Sequence, residues 1–151
     1  MTLRAVLAAL ALSSVSVPVL AEDAAAPAPA ATSAIAPPPA GKGQVVFFRH
    51  MGLMGAPYWA KVREKDAEIG KLSDGVYFVA VTDPGVHTYT AAVTGKDTLR
   101  MQVDPGETYY VEGRMTIALL GYNVVLAPSD EAAFQKALSG MKRVKTADAP
   151  Q

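Results

Sequence analysis

From Gly41 to about Lys145 the apolar residues come in short runs rich in Val, Phe, Tyr and Thr, broken by Gly, Asp and Pro. That punctuation predicts an all-β domain. The first strand is Gln44 to Arg49, where Val45, Val46, Phe47 and Phe48 leave neither face polar, so both sides of this strand should be covered. Further strands are expected at Tyr58 to Glu64, Glu68 to Leu72, Val76 to Thr82, Val86 to Val93, Thr98 to Val103, Thr108 to Arg114 and Asn123 to Ala127. Thr98 to Val103 alternates, with Leu99, Met101 and Val103 on one face and Thr98, Arg100 and Gln102 on the other, the pattern of a half-exposed strand. One helix is expected near the end, capped by Ser129, opened by Asp130 and Glu131, stopped by Gly140, with Phe134, Leu138 and Met141 as its apolar stripe.

A weak repeat supports short strands folded into an antiparallel β-sandwich. Val81 to Tyr89 and Gln102 to Tyr110 both place Asp-Pro-Gly between strands. Proline presets φ at the first central position of a turn and glycine accepts the positive φ a type II turn then needs, so each tripeptide should form a corner between antiparallel neighbours.

The N-terminal part follows different rules. Arg4, the apolar run Ala5 to Leu12 and the ending Val19-Leu20-Ala21 form a secretory signal over residues 1–21, cut between Ala21 and Glu22. Its apolar core is too short to span a bilayer and carries Ser13, Ser14, Ser16 and Pro18, so no transmembrane span is expected in the mature chain. Of the 19 residues from Glu22 to Ala40, nine are Ala and five are Pro, while all 12 glycines come later. Residues 22–40 are therefore expected to be a disordered, extended tether, residues 41–145 the folded domain and 146–151 a disordered tail. The expected location is periplasmic or secreted.

Composition then removes whole classes of function. The 151 residues include 14 Lys plus Arg, 14 Asp plus Glu and no Cys. A balanced charge without basic runs argues against nucleic acid as a partner. Without cysteine there is no disulfide framework, thiol catalysis or Cys-ligated metal. His50 and His87, the only histidines, stand 37 positions apart and form no metal-ligand motif, so no metal and no cofactor are expected. His87 follows an Asp-Pro-Gly corner and is read as a hydrogen-bonding residue at a strand end, while Glu64-Lys65-Asp66 reads as a solvated turn. Nucleophile-elbow, phosphate-loop and dinucleotide fingerprints are absent from the sequence.

The candidate binding surface is an apolar loop, Met51 to Trp59, that follows Arg49 and His50. Its site residues are Arg49, Met51, Leu53, Met54 and Trp59. Either these side chains form an adaptable sticky patch, or the loop folds over an open end of the sandwich and plugs the core. The plug is the favoured expectation for Trp59, with Leu53 and Met54 partly exposed. Gly113 to Gly121, with Met115, Ile117, Leu119 and Leu120, carries the same ambiguity.

The ordered motifs Gly43-Gln44-Val45-Val46-Phe47-Phe48-Arg49, Glu68-Ile69-Gly70-Lys71-Leu72, Gly75-Val76-Tyr77-Phe78, Asp83-Pro84-Gly85-Val86-His87-Thr88 and Glu107-Thr108-Tyr109-Tyr110-Val111 resemble the bacterial domain-of-unknown-function family 2846 over roughly Gly41 to Val144. The resemblance implies a small exported or lipid-anchored bacterial β-sandwich, transthyretin-like or carboxypeptidase-regulatory-like, with no assigned catalytic residues. Lipoprotein-like relatives carry a lipidated cysteine where this chain has Ala21. The expected function is a non-catalytic module that binds an envelope protein or other envelope component, or has a structural role there. The alternative is a small periplasmic hydrolase.

Overall fold

The computed structural model describes residues 33–52, 59–92, 97–118 and 121–146. The chain divides into Met1–Thr32 and Ser33–Gln151, and every described residue belongs to the second unit. The expected signal, most of the tether and residues 147–151 lie outside the described residues.

Among the described residues, nine strands and one helix form a two-layer β-sandwich with a C-terminal helix. They are β1 (Gly43–Arg49), β2 (Ala60–Glu64), β3 (Ala67–Leu72), β4 (Val76–Thr82), β5 (Gly85–Ala92), β6 (Asp97–Val103), β7 (Thr108–Ala118), β8 (Gly121–Ser129), α1 (Glu131–Leu138) and β9 (Lys142–Arg143). One sheet has the order β8-β7-β1-β4-β9 and the other β3-β2-β5-β6. The four-stranded sheet is antiparallel throughout. The five-stranded sheet departs from the expected antiparallel pattern, because β1 pairs with β7 and β4 with β9 in parallel.

The first strand explains the architecture. All seven β1 residues are buried, as their unbroken apolar run requires. Val45 and Phe47 point between the sheets, where Phe47 packs on Phe78 and Tyr89 with ring centroids 5.1 and 5.0 Å apart. Val46 and Phe48 point the other way, into a second cluster beneath α1. Phe134 anchors the helix there, its ring 5.5 Å from Phe48, 5.2 Å from Tyr77 and 5.4 Å from Tyr110. Leu138 and Met141 flank it, so the expected stripe does dock on the sheet. The cap is Asp130 rather than Ser129. Asp130 accepts the Ala133 N–H at 2.7 Å, whereas Ser129 is still extended and paired with Tyr110.

Two further expectations are corrected. The Asp-Pro-Gly tripeptides do not join paired neighbours: β4 and β5 belong to different sheets, as do β6 and β7, so each corner carries the chain across the sandwich. Gly106, at φ 82°, takes the positive φ its turn needs. The tether also ends earlier than Ala40. Ile35 is 6% exposed in the cluster under α1, Ser33 hydrogen-bonds Tyr110, and the Gln44 amide donates to the Ala36 carbonyl at 2.7 Å. An Ala/Pro composition does not preclude docking when one branched side chain is present to bury. Met101 and Leu99 face inward and Thr98, Arg100 and Gln102 outward, as the alternation of β6 predicts.

Candidate functional site

Registers place the expected site residues at one end of the sandwich, here called the loop end. β1 finishes there at Arg49 opposite Val76, β2 and β3 meet there at Ala60 and Leu72, and β7 and β8 turn there at Ala118 and Gly121. The other end, the corner end, holds the two Asp-Pro-Gly crossings and the start of α1.

Arg49 is structural. It is 3% exposed, and its Nη2 lies 2.6 Å from Asp74 Oδ1 in the β3–β4 turn. A buried guanidinium requires such a partner, so Arg49 is corrected from binding residue to internal ion pair. Met51 and Trp59 are different: they are 65% and 50% exposed at the two ends of the apolar loop. The expected plug does not hold for Trp59. Its ring sits beside Lys71 Nζ at 5.3 Å and Lys61 Nζ at 5.9 Å, both reaching it from directly paired positions of β2 and β3. Leu53 and Met54 lie outside the described residues, as do Leu119 and Leu120. Ile117, one step before the end of β7, is 87% exposed.

Beside Met51 a cavity of about 490 Å³ opens between the sheet and the last turn of α1, lined by Phe48, His50, Met51, Glu112, Ala137 and Lys136 among others. Glu112 forms its polar wall. One carboxylate oxygen lies 3.0 Å from His50 Nδ1 and the other accepts from Arg114 Nε at 2.7 Å. Glu68 plays a similar part near Trp59, where its hydrogen bond with Lys61 and the charges of Lys61, Lys71 and Arg63 hold its carboxyl below the usual carboxylate range.

The corner end contains the nearest approach to a catalytic cluster. His87 Nδ1 lies 2.5 Å from Glu64 Oε1, and Nε2 donates to the Asp83 carbonyl at 2.8 Å. Thr82 Oγ1 is 3.4 and 3.5 Å from the two ring nitrogens. A general base needs a free nitrogen aimed at the hydroxyl. Both nitrogens are already engaged, so this imidazole ties β2 to the β4–β5 corner. Tyr89 lies against the His87 ring, with centroids 6.0 Å apart. Burial pushes its phenol well above the ordinary range, the Glu64 charge adds to this, and its hydroxyl has no hydrogen-bond partner among the described residues.

The described residues include no group of three or more His, Cys, Asp and Glu placed to hold a metal, and no helix long and apolar enough to cross a membrane. Comparisons with protein-family models, curated proteins and solved structures found no match.

Sequence reasoning flagged the loop but missed Lys61 and Lys71. Ten positions apart in the chain, they become a pair only through the β2–β3 register. Ile117 was ambiguous because a hairpin that outruns its neighbours exposes the apolar alternation that would otherwise face a core.

Proposed function

We propose that the chain is an exported, non-catalytic β-sandwich module that binds a component of the bacterial envelope through its loop end. One observation carries this reading: of the five large apolar side chains most exposed among the described residues, the three largest, Met51, Trp59 and Ile117, come from separate strand ends at the loop end, while Val81 and Val86 stand at the corner end. Isolated exposed apolar residues are ordinary, but convergence of several marks an interaction surface. Supporting it are the Val19-Leu20-Ala21 ending, which suits export, and the resemblance of the strand motifs to family 2846. A hydrolase would draw on Glu64, His87 and Thr82, whose imidazole has no nitrogen free for a base.

The test compares capture of envelope components by the parent and by Met51→Ser/Ile117→Ser. Loss of capture with unchanged thermal unfolding is the expected result. Equal recovery by the variant overturns the assignment of the surface.

A further inference from the structure

We infer that the loop end docks against the surface of an anionic lipid bilayer, with Met51, Trp59 and Ile117 entering the boundary of the acyl region and lysines beside them reaching the headgroups. This rests on the binding role proposed above and names its partner.

The first argument is placement. Lys61 and Lys71 pair one residue inside the strand ends, Lys136 lies in the last turn of α1, and Lys142 pairs with Val76 at the start of β4. Trp59 precedes Lys61 by two residues and so shares its face of the strand, and the ammonium groups of Lys71 and Lys61 lie beside the indole, 5.3 and 5.9 Å from its centre. Apolar faces of interfacial elements enter the headgroup boundary by about 5–10 Å, and Trp and Lys favour that zone because each has an apolar body and a polar end. The cation–π contacts already hold both lysines against the indole.

The second argument is charge complementarity. The chain is neutral overall, yet its charges are segregated. Asp66, Asp83, Asp104, Glu107, Asp130 and Glu131 stand at the corner end, where Lys42, paired with Asp83 at 2.6 Å, and Lys65, beside Asp66, offset only part of their charge. At the loop end the carboxylates of Asp74 and Glu112 are paired with Arg49 and with Arg114, while Glu68, next to the β2–β3 turn, reaches along the hairpin to Lys61. Lys136 and Lys142 add positive charge there, and Asp97 opens β6 at the same end. An anionic surface therefore attracts one end and repels the other, orienting the sandwich upright. A protein partner would equally accept the apolar residues, but would not require lysines set beside them on both the β2–β3 hairpin and the α1 side.

Trp59 is the only tryptophan, so its emission reports this end alone, whatever else in the full chain touches lipid. The full chain is titrated with vesicles of equal parts phosphatidylglycerol and phosphatidylethanolamine, and with phosphatidylcholine vesicles. The expected result is a blue shift with the anionic vesicles that weakens with salt and is much smaller with phosphatidylcholine. Lys136→Ala and Lys142→Ala, which leave the indole's surroundings intact, should each weaken binding about fivefold, the ratio set by about 1 kcal/mol per basic side chain at an anionic surface. Met51→Ser/Ile117→Ser should abolish the shift, and Lys42→Ala at the corner end should leave it unchanged. A shift indifferent to lipid charge and to both lysines overturns the inference. Inert vesicles, with envelope capture intact in the parent and lost in Met51→Ser/Ile117→Ser, overturn the lipid assignment and keep the binding role. Inert vesicles with capture unaffected by those substitutions overturn both.

Discussion

Replacing Arg49 by Met separates a structural guanidinium from a binding one. The substitution keeps the bulk of the side chain at a position only 3% exposed, but it leaves the Asp74 carboxylate without the cation now 2.6 Å away. Breaking a buried pair from one side costs about 3–5 kcal/mol. Asp74 keeps some contact with water, its side chain being 16% exposed, which places the expected cost near the lower figure, about 3 kcal/mol. For a domain of this size that corresponds to a fall of roughly 12–20 °C in Tm. The double variant Arg49→Met/Asp74→Leu removes both charges and should recover most of the loss, since no uncompensated ion remains. Chemical and thermal unfolding of the four proteins of this cycle are the assay. If Arg49→Met unfolds like the parent while capture of the envelope component disappears, Arg49 is a contact residue and the structural reasoning is wrong.

Three other expectations follow from burial. Trp59→Ala should cost about 1 kcal/mol in urea unfolding, from half a buried ring and two exposed cation–π contacts; a cost of about 3–5 kcal/mol would restore the core-plug reading. Ile35→Ala should cost about 2 kcal/mol, whereas deleting Glu22 to Thr32 should change stability by less than about 0.5 kcal/mol; equal effects would show that Ile35 does not anchor the segment. Tyr89→Phe removes a buried hydroxyl that lacks a partner among the described residues and should raise stability by about 1 kcal/mol near neutral pH. Because burial raises the Tyr89 phenol above its unfolded value of about 10, the parent's stability is full below that pH and declines as pH rises beyond it; the Phe variant should decline less, and equal slopes would contradict the shift.

Most strands were legible because their signals are local. The unbroken apolar run of β1 announced two covered faces, and the alternation of β6 announced one. The sheet partners were not legible, since Asp-Pro-Gly marks a corner without saying whether the next strand pairs or crosses. Ile35 was hidden by its neighbours: an Ala/Pro stretch reads as tether, and a single branched side chain changes that only when a helix and sheet leave a gap of the right shape. Arg49, placed next to His50 and an apolar loop, looked like a contact residue until its pairing with Asp74, 25 positions away, became visible.

The two ends of the sandwich differ for a topological reason, and that difference favours function at one of them. At the corner end the chain crosses between sheets in two connections of two and four residues, each pinned by proline and closed by backbone bonds such as Gly106 N–H to the Lys42 carbonyl at 2.8 Å. Gly43 there stands so close to Val103 and the Asp104 carbonyl that no side chain fits. Gly43 therefore cannot vary without moving both sheets, although the corner glycines Gly85 and Gly106 face open space. At the loop end β7 and β8 outrun β1, α1 stops at Leu138, and the β1–β2 connection spans ten residues. Side chains there can change without disturbing the Phe47 core or the Phe134 cluster. Loops on a rigid scaffold are where binding residues accumulate. The exposed area of Met51, Trp59 and Ile117 gives the fold little, so a partner that covers them gains apolar burial that the isolated domain leaves unused.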